Sequence, residues 1–218
     1  MIPGARIVML GRQGAGKGTQ CIRLSRHFVV PHISTGDMLR AAVREGTELG
    51  LMAKAVIDSG SLVGDDIMVG IITERLDQDD ARVRGYILDG FPRTVAQAVS
   101  LDAVTAKRPI DMVIDLDVPR DLVLSRLSAR RVCRDCAANY QAKGNEPQPW
   151  TCENCGGDVV QRDDDTPDAI NRRLDLYESQ TQPLIEFYSS TGRLVTVNGV
   201  GAPDEVFEGL TRAVEQRR

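Results

Sequence analysis

Gly11-Arg-Gln-Gly-Ala-Gly-Lys-Gly-Thr19 is the stretch on which the reading of this chain turns. Before it lies Arg6-Ile-Val-Met-Leu10, a short apolar run of strand type. After it comes Gln20-Cys-Ile-Arg-Leu-Ser-Arg-His27, whose apolar Cys21, Ile22 and Leu24 fall on one side of a helix. A strand, a glycine-rich turn and a helix opened by lysine make a phosphate-binding loop. Glycine lets backbone N–H groups converge on an anion with no side chain in the way. The helix N-terminus adds unpaired donors and a partial positive charge, and Lys17 adds a full charge that reaches the outer phosphates. One position departs from the general pattern: Gly18 stands where serine or threonine is usual, and Thr19 follows it. The flanking strand and helix still favour a nucleoside triphosphate site over a chance glycine-rich turn.

Further along, 29–33, Tyr86-Ile-Leu-Asp89, Met112-Val-Ile-Asp-Leu116 and Leu194-Val-Thr-Val197 read as strands. Helices are expected over 38–44, 49–57 (ending near Gly60), 65–76, 95–106, 119–131, 167–188 and 203–216. Capping residues at Ser34-Thr-Gly-Asp37 and prolines at 119, 167 and 203 mark their starts, and Pro183 should kink the long one. Five strands alternating with helices imply a parallel sheet covered on both faces, an α/β fold. Two stretches interrupt the alternation. Residues 34–63 are mostly short helices, and 132–165 are rich in Cys, Gly, Asn, Pro and Asp with little helical periodicity.

The 218 residues suit one large domain with inserted subdomains. No apolar run approaches the roughly 18 residues of a membrane span. Met1-Ile-Pro-Gly-Ala-Arg6 leads straight into a strand and leaves no room for a signal peptide, so a cytoplasmic location is expected. The net charge of -4 disfavours a general nucleic-acid surface, yet arginines gather in the segments that look functional, which suits a small polyanion. Four of the five cysteines form the pairs Cys133/Cys136 and Cys152/Cys155 with fifteen residues between them, a zinc-type spacing. Disulfides are the competing reading, disfavoured in a reducing compartment. Cys21 reads as a small core residue, and His27 and His32 as structural.

Taken together, the loop at 11–19, Ser34-Thr-Gly-Asp-Met-Leu-Arg40, Leu88-Asp-Gly-Phe-Pro-Arg93 with Gln97, Arg126, Arg130-Arg131, Arg162-Asp-Asp-Asp165 and Arg172-Arg173 form one series. In this order and spacing the chain resembles the adenylate kinase family over essentially its whole length, in particular the bacterial long-lid form with a four-cysteine zinc lid. The resemblance implies a phosphate-loop nucleoside monophosphate kinase fold. Its core would be 1–33, 64–128 and 166–218, its AMP-binding subdomain 34–63 and its zinc-binding lid 129–165. It implies the reaction ATP + AMP = 2 ADP with Mg2+, serving adenine nucleotide balance, in a monomer with no nucleic-acid or membrane partner.

Carried over by position, the resemblance makes Gly14, Ala15, Gly16, Lys17, Gly18 and Thr19 the ATP phosphate cradle. Arg126, Arg130, Asn139, Tyr140 and, near the C-terminus, Gly201 are the further ATP contacts. Thr35, Arg40, Ser61, Leu62, Val63, Gly90, Phe91, Pro92, Arg93 and Gln97 match the AMP contacts, with Gln97 reading the base and Arg162 and Arg173 gripping phosphate. Lys17, Arg93, Arg126, Arg130, Arg162 and Arg173 would act on the transferring group, Asp89 would hold Mg2+ through water, and Cys133, Cys136, Cys152 and Cys155 would hold a structural Zn2+. Arginine suits this work because it stays charged and grips two oxygens at once. Blander roles compete at some positions. Tyr140 and Trp150 could pack the lid, Asp163–Asp165 could be an acidic loop or help the lid close, and Arg131 and Arg172 should face solvent. Arg12-Gln13 replaces the small residue and proline common in this loop and adds charge beside it. Within the class the runner-up is a GTP-using relative or a pyrimidine monophosphate kinase. Outside it stands a silent nucleotide-binding protein whose zinc ribbon meets a macromolecule.

Overall fold

Burial on both sides explains why β1 (Arg6–Leu10) is apolar without alternation: Ile7 and Met9 enter one core and Val8 and Leu10 the other. The computed structural model describes residues 5–59, 61–144 and 149–217. The first half continues with α1 (Lys17–Phe28), β2 (His32–Ser34), α2 (Thr35–Glu45), α3 (Glu48–Asp58), α4 (Asp65–Asp77), α5 (Asp79–Arg84), β3 (Tyr86–Asp89), α6 (Val95–Val104) and β4 (Met112–Asp117). There follow α7 (Arg120–Ser128), β5 (Arg130–Cys133), β6 (Asn139–Gln141), β7 (Trp150–Thr151) and β8 (Asp158–Val160). The chain closes with α8 (Pro167–Leu176), a π-helical turn (Tyr177–Thr181), α9 (Pro183–Ser190), β9 (Leu194–Asn198) and α10 (Pro203–Glu215).

The expected parallel sheet has five strands in the order β2-β3-β1-β4-β9. On one face Ile7, Met9, Ile114 and Leu116 pack against Leu24 of α1, Leu127 of α7, Leu174 of α8 and Leu210 of α10. On the other, Val8, Leu88 and Val113 pack against Ile72 of α4, Leu101 of α6 and Tyr188 of α9. With β1 central, the chain leaves toward β2 and later crosses to β4, so a crevice opens at the carboxyl ends of β1 and β3, where such sheets bind ligands. Residues 130–160 add a separate antiparallel sheet, β6-β5-β8-β7, whose small core buries Cys133, Cys152 and Val159 among the described residues. No helix among the described residues is long and apolar enough to cross a membrane.

Several boundaries differ from the sequence expectations, each for a local reason. Val29 adopts a left-handed conformation (φ 55°) that caps α1, and the Val30 N–H returns to Ser25 O, so β2 begins only at His32. Ser34 ends β2 and also caps α2, its side chain accepting from the Asp37 N–H at 3.3 Å. The helix expected through Arg131 stops at Ser128, because Arg130–Cys133 pairs with β6 and β8. Pro183 has no N–H to give, and the Gln182 N–H reaches instead to Tyr177 O at 2.7 Å, so the break is a π turn before the proline. The short α5 follows α4 after Gln78 without a signal in the apolar pattern. The expected stop at Gly60 lies outside the described residues.

Candidate active site and metal centre

The loop after β1 turns tightly because its glycines permit it. Gly11 sits at φ 134° against β4, where a Cβ would lie 2.6 Å from Leu116 O, and Gly16 caps α1 at φ 100°. No side chain caps α1, and its first internal bond is Gln20 N–H to Gly16 O at 3.1 Å. The N–H groups of Lys17, Gly18 and Thr19 therefore remain for an outside acceptor, as an anion site requires. The Lys17 ammonium bends back over the loop, donating to Gly11 O at 2.7 Å and Arg12 O at 3.1 Å. Burial lowers its pKa, against the pull of Asp89.

Asp89 closes β3 opposite Ser34 of β2. Burial alone would raise its pKa, but His32, Lys17 and Arg93 outweigh that and hold the carboxyl below its ordinary value. Gly18 leaves room beside it: a Cβ at that position would stand 3.6 Å from Asp89 Oδ2. A carboxylate held toward its ionised form at the mouth of a phosphate loop fits the hydration shell of Mg2+, a hard cation that keeps its waters.

Arg93 is fixed from three sides. Its N–H donates to Gln97 Oε1 at 2.7 Å, its carbonyl accepts from the Thr181 hydroxyl at 2.9 Å, and its own Nε donates to Gly90 O at 2.8 Å. Gln97 in turn donates from Nε2 to Asp65 Oδ1 at 2.7 Å. That leaves one N–H and one oxygen lone pair of the amide for a ligand. Arg126 donates to Ala15 O at 3.1 Å and reaches Gly199 O at 3.4 Å, joining the loop to the turn after β9.

Three arginines share the two carboxylates Asp164 and Asp165. Arg162 donates to both oxygens of Asp164 at 2.9 and 2.8 Å. Arg173 pairs with Asp164 and lies 3.6 Å from Asp165, while Arg130 donates through Nε to Asp165 Oδ2 at 2.7 Å. Turned so that its amide oxygen faces these guanidiniums, Gln13 accepts from Arg173 Nη1 at 2.7 Å and Arg130 Nη2 at 3.1 Å. Arg40 pairs with Asp37 one turn back on α2. Burial lowers the pKa of Arg40, Arg93 and Arg130 alike.

One cavity gathers most of the expected site: Gly14, Gly16, Lys17, Gly18, Thr19, Thr35, Arg40, Ser61, Leu62, Val63, Asp89, Gly90, Phe91, Pro92, Arg93, Gln97, Arg126, Arg130, Asn139, Arg162 and Arg173 all line it. Seven of its lining side chains are cationic and three are carboxylates, Asp37, Asp89 and Asp164. Such a balance suits a ligand with several phosphates.

Three expected contacts do not line it. Tyr140 is turned away by strand alternation: Asn139 and Gln141 face the cavity, and between them the Tyr140 hydroxyl donates to Cys152 Sγ at 3.1 Å. Ala15 is buried, and its N–H closes the loop onto Arg12 O at 3.1 Å. Gly201 is exposed beside Glu205 at the start of α10, two residues beyond the carbonyl that Arg126 reaches. Arg12 also points elsewhere, donating to Val118 O at 3.3 Å and lying over the Tyr177 ring. Sequence reasoning misses Gln141 and Thr181 as lining residues, and it names Gln13 and Asp164 without the arginine contacts they make. For Gln141 the two-residue step from Asn139 is the available signal. The counter-ion role of Asp164 has none.

The four lid cysteines are free thiols whose sulfurs lie within 4.8 Å of one another. Cys133 and Cys155 are 3.5 Å apart and Cys136 and Cys152 3.6 Å, far beyond the roughly 2 Å of a disulfide. A tetrahedral zinc with Zn–S near 2.3 Å needs sulfurs about 3.8 Å apart, so the cluster fits that metal. The Tyr140 hydroxyl draws the Cys152 thiol down to about 6, toward the thiolate that a metal requires.

Comparison with known proteins points the same way as this geometry. The model of the adenylate kinase family matches residues 9–193. An adenylate kinase of Moorella thermoacetica is 48% identical over 212 residues, covering 96% of this chain and 97% of its own. One from Methanosarcina acetivorans is 50% identical over 207 residues, covering 94% and 95%. One from Thermodesulfovibrio yellowstonii is 46% identical over 215 residues, covering 97% and 100%. With a phosphate loop, a ring of arginines and matches of this extent, the chain belongs to the adenylate kinase family of nucleoside monophosphate kinases.

Proposed function

We propose that the protein transfers the terminal phosphoryl group of ATP to AMP, giving two ADP, in the presence of Mg2+. The observation that carries this reading is the convergence of Lys17, Arg40, Arg93, Arg126, Arg130, Arg162 and Arg173 on one cavity beside the phosphate loop. Phosphoryl transfer asks a protein for in-line alignment and for neutralisation of charge on the moving group, with little covalent chemistry. No general base is needed, since the acceptor is already a phosphate anion. Lys17 and the loop N–H groups hold the donor phosphates. Arg93, with both backbone groups pinned by Gln97 and Thr181, presents a fixed guanidinium to the acceptor phosphate. Arg130, Arg162 and Arg173 exchange their carboxylate partners for phosphate oxygens as the site fills. Asp89 would hold bound Mg2+ through water, and the ion supplies charge neutralisation at the phosphates.

In this reading residues 34–63 and 132–165 are the moving parts, since Arg40 and Arg162 lie in or beside separate insertions and must serve one phosphate chain. Closure excludes water, which would otherwise accept the phosphoryl group. A bisubstrate analogue joining two adenosines through five phosphates should shrink the protein in solution scattering, and an unchanged profile at saturation would overturn the closing mechanism. The lid cysteines would hold zinc for stability, because four thiolates leave no open position for chemistry. The enzyme would work in the cytoplasm as a monomer, each site being built from one chain. A coupled assay testing ATP against GTP and AMP against UMP decides the reaction. Preference for another pair, or no turnover with any, would reject it.

A further inference from the structure

Below the phosphate loop, three donors of different kinds meet from three elements. Cys21 Sγ of α1, His32 Nε2 of β2 and the Asp89 carboxylate of β3 lie within 4.8 Å of one another. Cys21 is fully buried, and the side chains of His32 and Asp89 are each 13% exposed. His32 Nε2 is itself buried with no hydrogen-bond partner, although Asp89 Oδ2 stands 3.5 Å away. The long approach to Asp89 leaves His32 Nε2 poorly satisfied in a buried place, and phosphoryl transfer uses neither His32 nor Cys21.

We propose that Cys21, His32 and Asp89 form a second metal site, for a borderline-soft divalent cation such as zinc, whose occupation silences the enzyme. The donor set of sulfur, nitrogen and oxygen suits zinc, whereas Mg2+ takes oxygen ligands in an octahedron. Tetrahedral zinc with bonds of about 2.0–2.3 Å needs donors roughly 3.3–3.6 Å apart. The histidine–aspartate separation of 3.5 Å already meets that, and the thiol, within 4.8 Å of both, has at most about 1.5 Å to close. Three protein ligands leave a fourth position, as in open zinc sites, and Asp89 lines the nucleotide cavity through which the ion would enter. Burial pushes the Cys21 thiol up, so its S–H bond breaks only as the S–metal bond forms, the proton leaving to solvent. The neighbouring Lys17 ammonium opposes a cation here and makes the site a weaker one than the four-thiolate lid. The silencing rests on Asp89 serving Mg2+ in the proposed reaction, because the same carboxylate cannot do both. The binding itself does not depend on that reaction.

The test is metal content, read beside activity. Protein equilibrated with excess zinc and passed through a desalting column should carry two zinc ions per chain in the wild type. It should carry one in Cys21→Ala and in His32→Gln, and one in Cys152→Ser, whose lid site is broken. At fixed Mg2+, zinc should inhibit the wild type at concentrations at least tenfold below those that inhibit Cys21→Ala. One zinc in the wild type, two in both Cys21→Ala and His32→Gln, or equal inhibition of wild type and Cys21→Ala would each overturn the proposal. If no nucleotide pair turns over at all, the proposed reaction fails while the stoichiometry still decides the site.

Discussion

Asp164→Asn removes the carboxylate that Arg162 grips through two hydrogen bonds and that Arg173 shares. All three side chains are at most 11% exposed, so their charges lie largely out of water. Breaking a buried pair by deleting one partner costs about 3–5 kcal/mol, because the remaining charge is left uncompensated. Here Asp165 stays 3.6 Å from Arg173 and asparagine keeps an acceptor, so a loss of about 2–3 kcal/mol is expected at neutral pH. For a chain of this size that is a drop of roughly 4–12 °C in the thermal midpoint. The pH dependence follows from the sign of the shift. Burial pushes the Asp164 carboxyl up, but Arg162 and Arg173 overcome it and hold the group well below the usual range. A folded pKa below the unfolded one gives stability that is fully present above the unfolded value, about 3.9, and is lost as pH falls toward the folded one. Wild type and variant should therefore differ by a constant amount from pH 7 to about 5 and converge in stronger acid. Phosphates should then take over the vacated guanidiniums, so a saturating bisubstrate analogue should raise the midpoint of the variant more than that of the wild type. Calorimetric melts across pH, with and without the analogue, read all three effects. A midpoint within about 2 °C of wild type at pH 7, or an identical gap with analogue bound, would refute the assignment of Asp164 as stand-in for phosphate.

Lys17→Ala should reduce turnover at least 100-fold with the fold intact, since it removes a fixed charge aimed at the transferring group; turnover within about tenfold of wild type would contradict the phosphate-loop role. Gln97→Ala should lower the kcat/KM preference for AMP over UMP by roughly 10–100-fold, because a polar base edge then loses its partner. An unchanged ratio, with only a lower thermal midpoint from the lost contacts to Asp65 and Arg93, would leave Gln97 as a support for Arg93. Cys152→Ser should lower both zinc content and thermal midpoint while activity persists at low temperature. A zinc-free lid with an undiminished midpoint would show that the metal does not stabilise the protein.

Local signals carry most of the parallel sheet. β1, β3 and β4 are apolar on both faces, and the prolines opening α8 and α10 stand at the first helical position, so periodicity and punctuation suffice there. The errors fall where tertiary pairing overrides local preference. Arg130 and Arg131 extend a helical pattern, yet both are drawn into a strand by Gln141 and Tyr140, while Val132 and Cys133 beyond them pair with Val160 and Val159, far along the chain. The lid sheet is invisible for the same reason, its strands being two to four residues long and held around a cysteine cluster.

The site divides along a similar line, between charges and the partners that hold them. Arginines are legible because a polyanion needs them, and the spacing of the motifs delivers them to one cavity. What aims each guanidinium is a contact made across the fold. Gln97 and Thr181 pin the backbone of Arg93 from α6 and from the π turn, 88 residues apart from Arg93 in the second case. Asp165 reaches Arg130 across 35 residues. Such partners follow only from packing, so Asp163–Asp165 reads in sequence as an acidic loop or an aid to lid closing, with no arginine partner named. In the fold, Asp164 and Asp165 supply the negative charge that keeps three buried arginines compatible with a stable protein. The same carboxylates set a threshold for the ligand: a nucleotide must offer the arginines more than they already have. Two linked phosphate chains can do so at Arg130, Arg162 and Arg173 together, whereas a single small anion competes with one carboxylate at a time. In the proposed reaction, a site arranged in this way would favour closure with both nucleotides present over closure with one, the condition for passing the phosphoryl group to AMP and not to water.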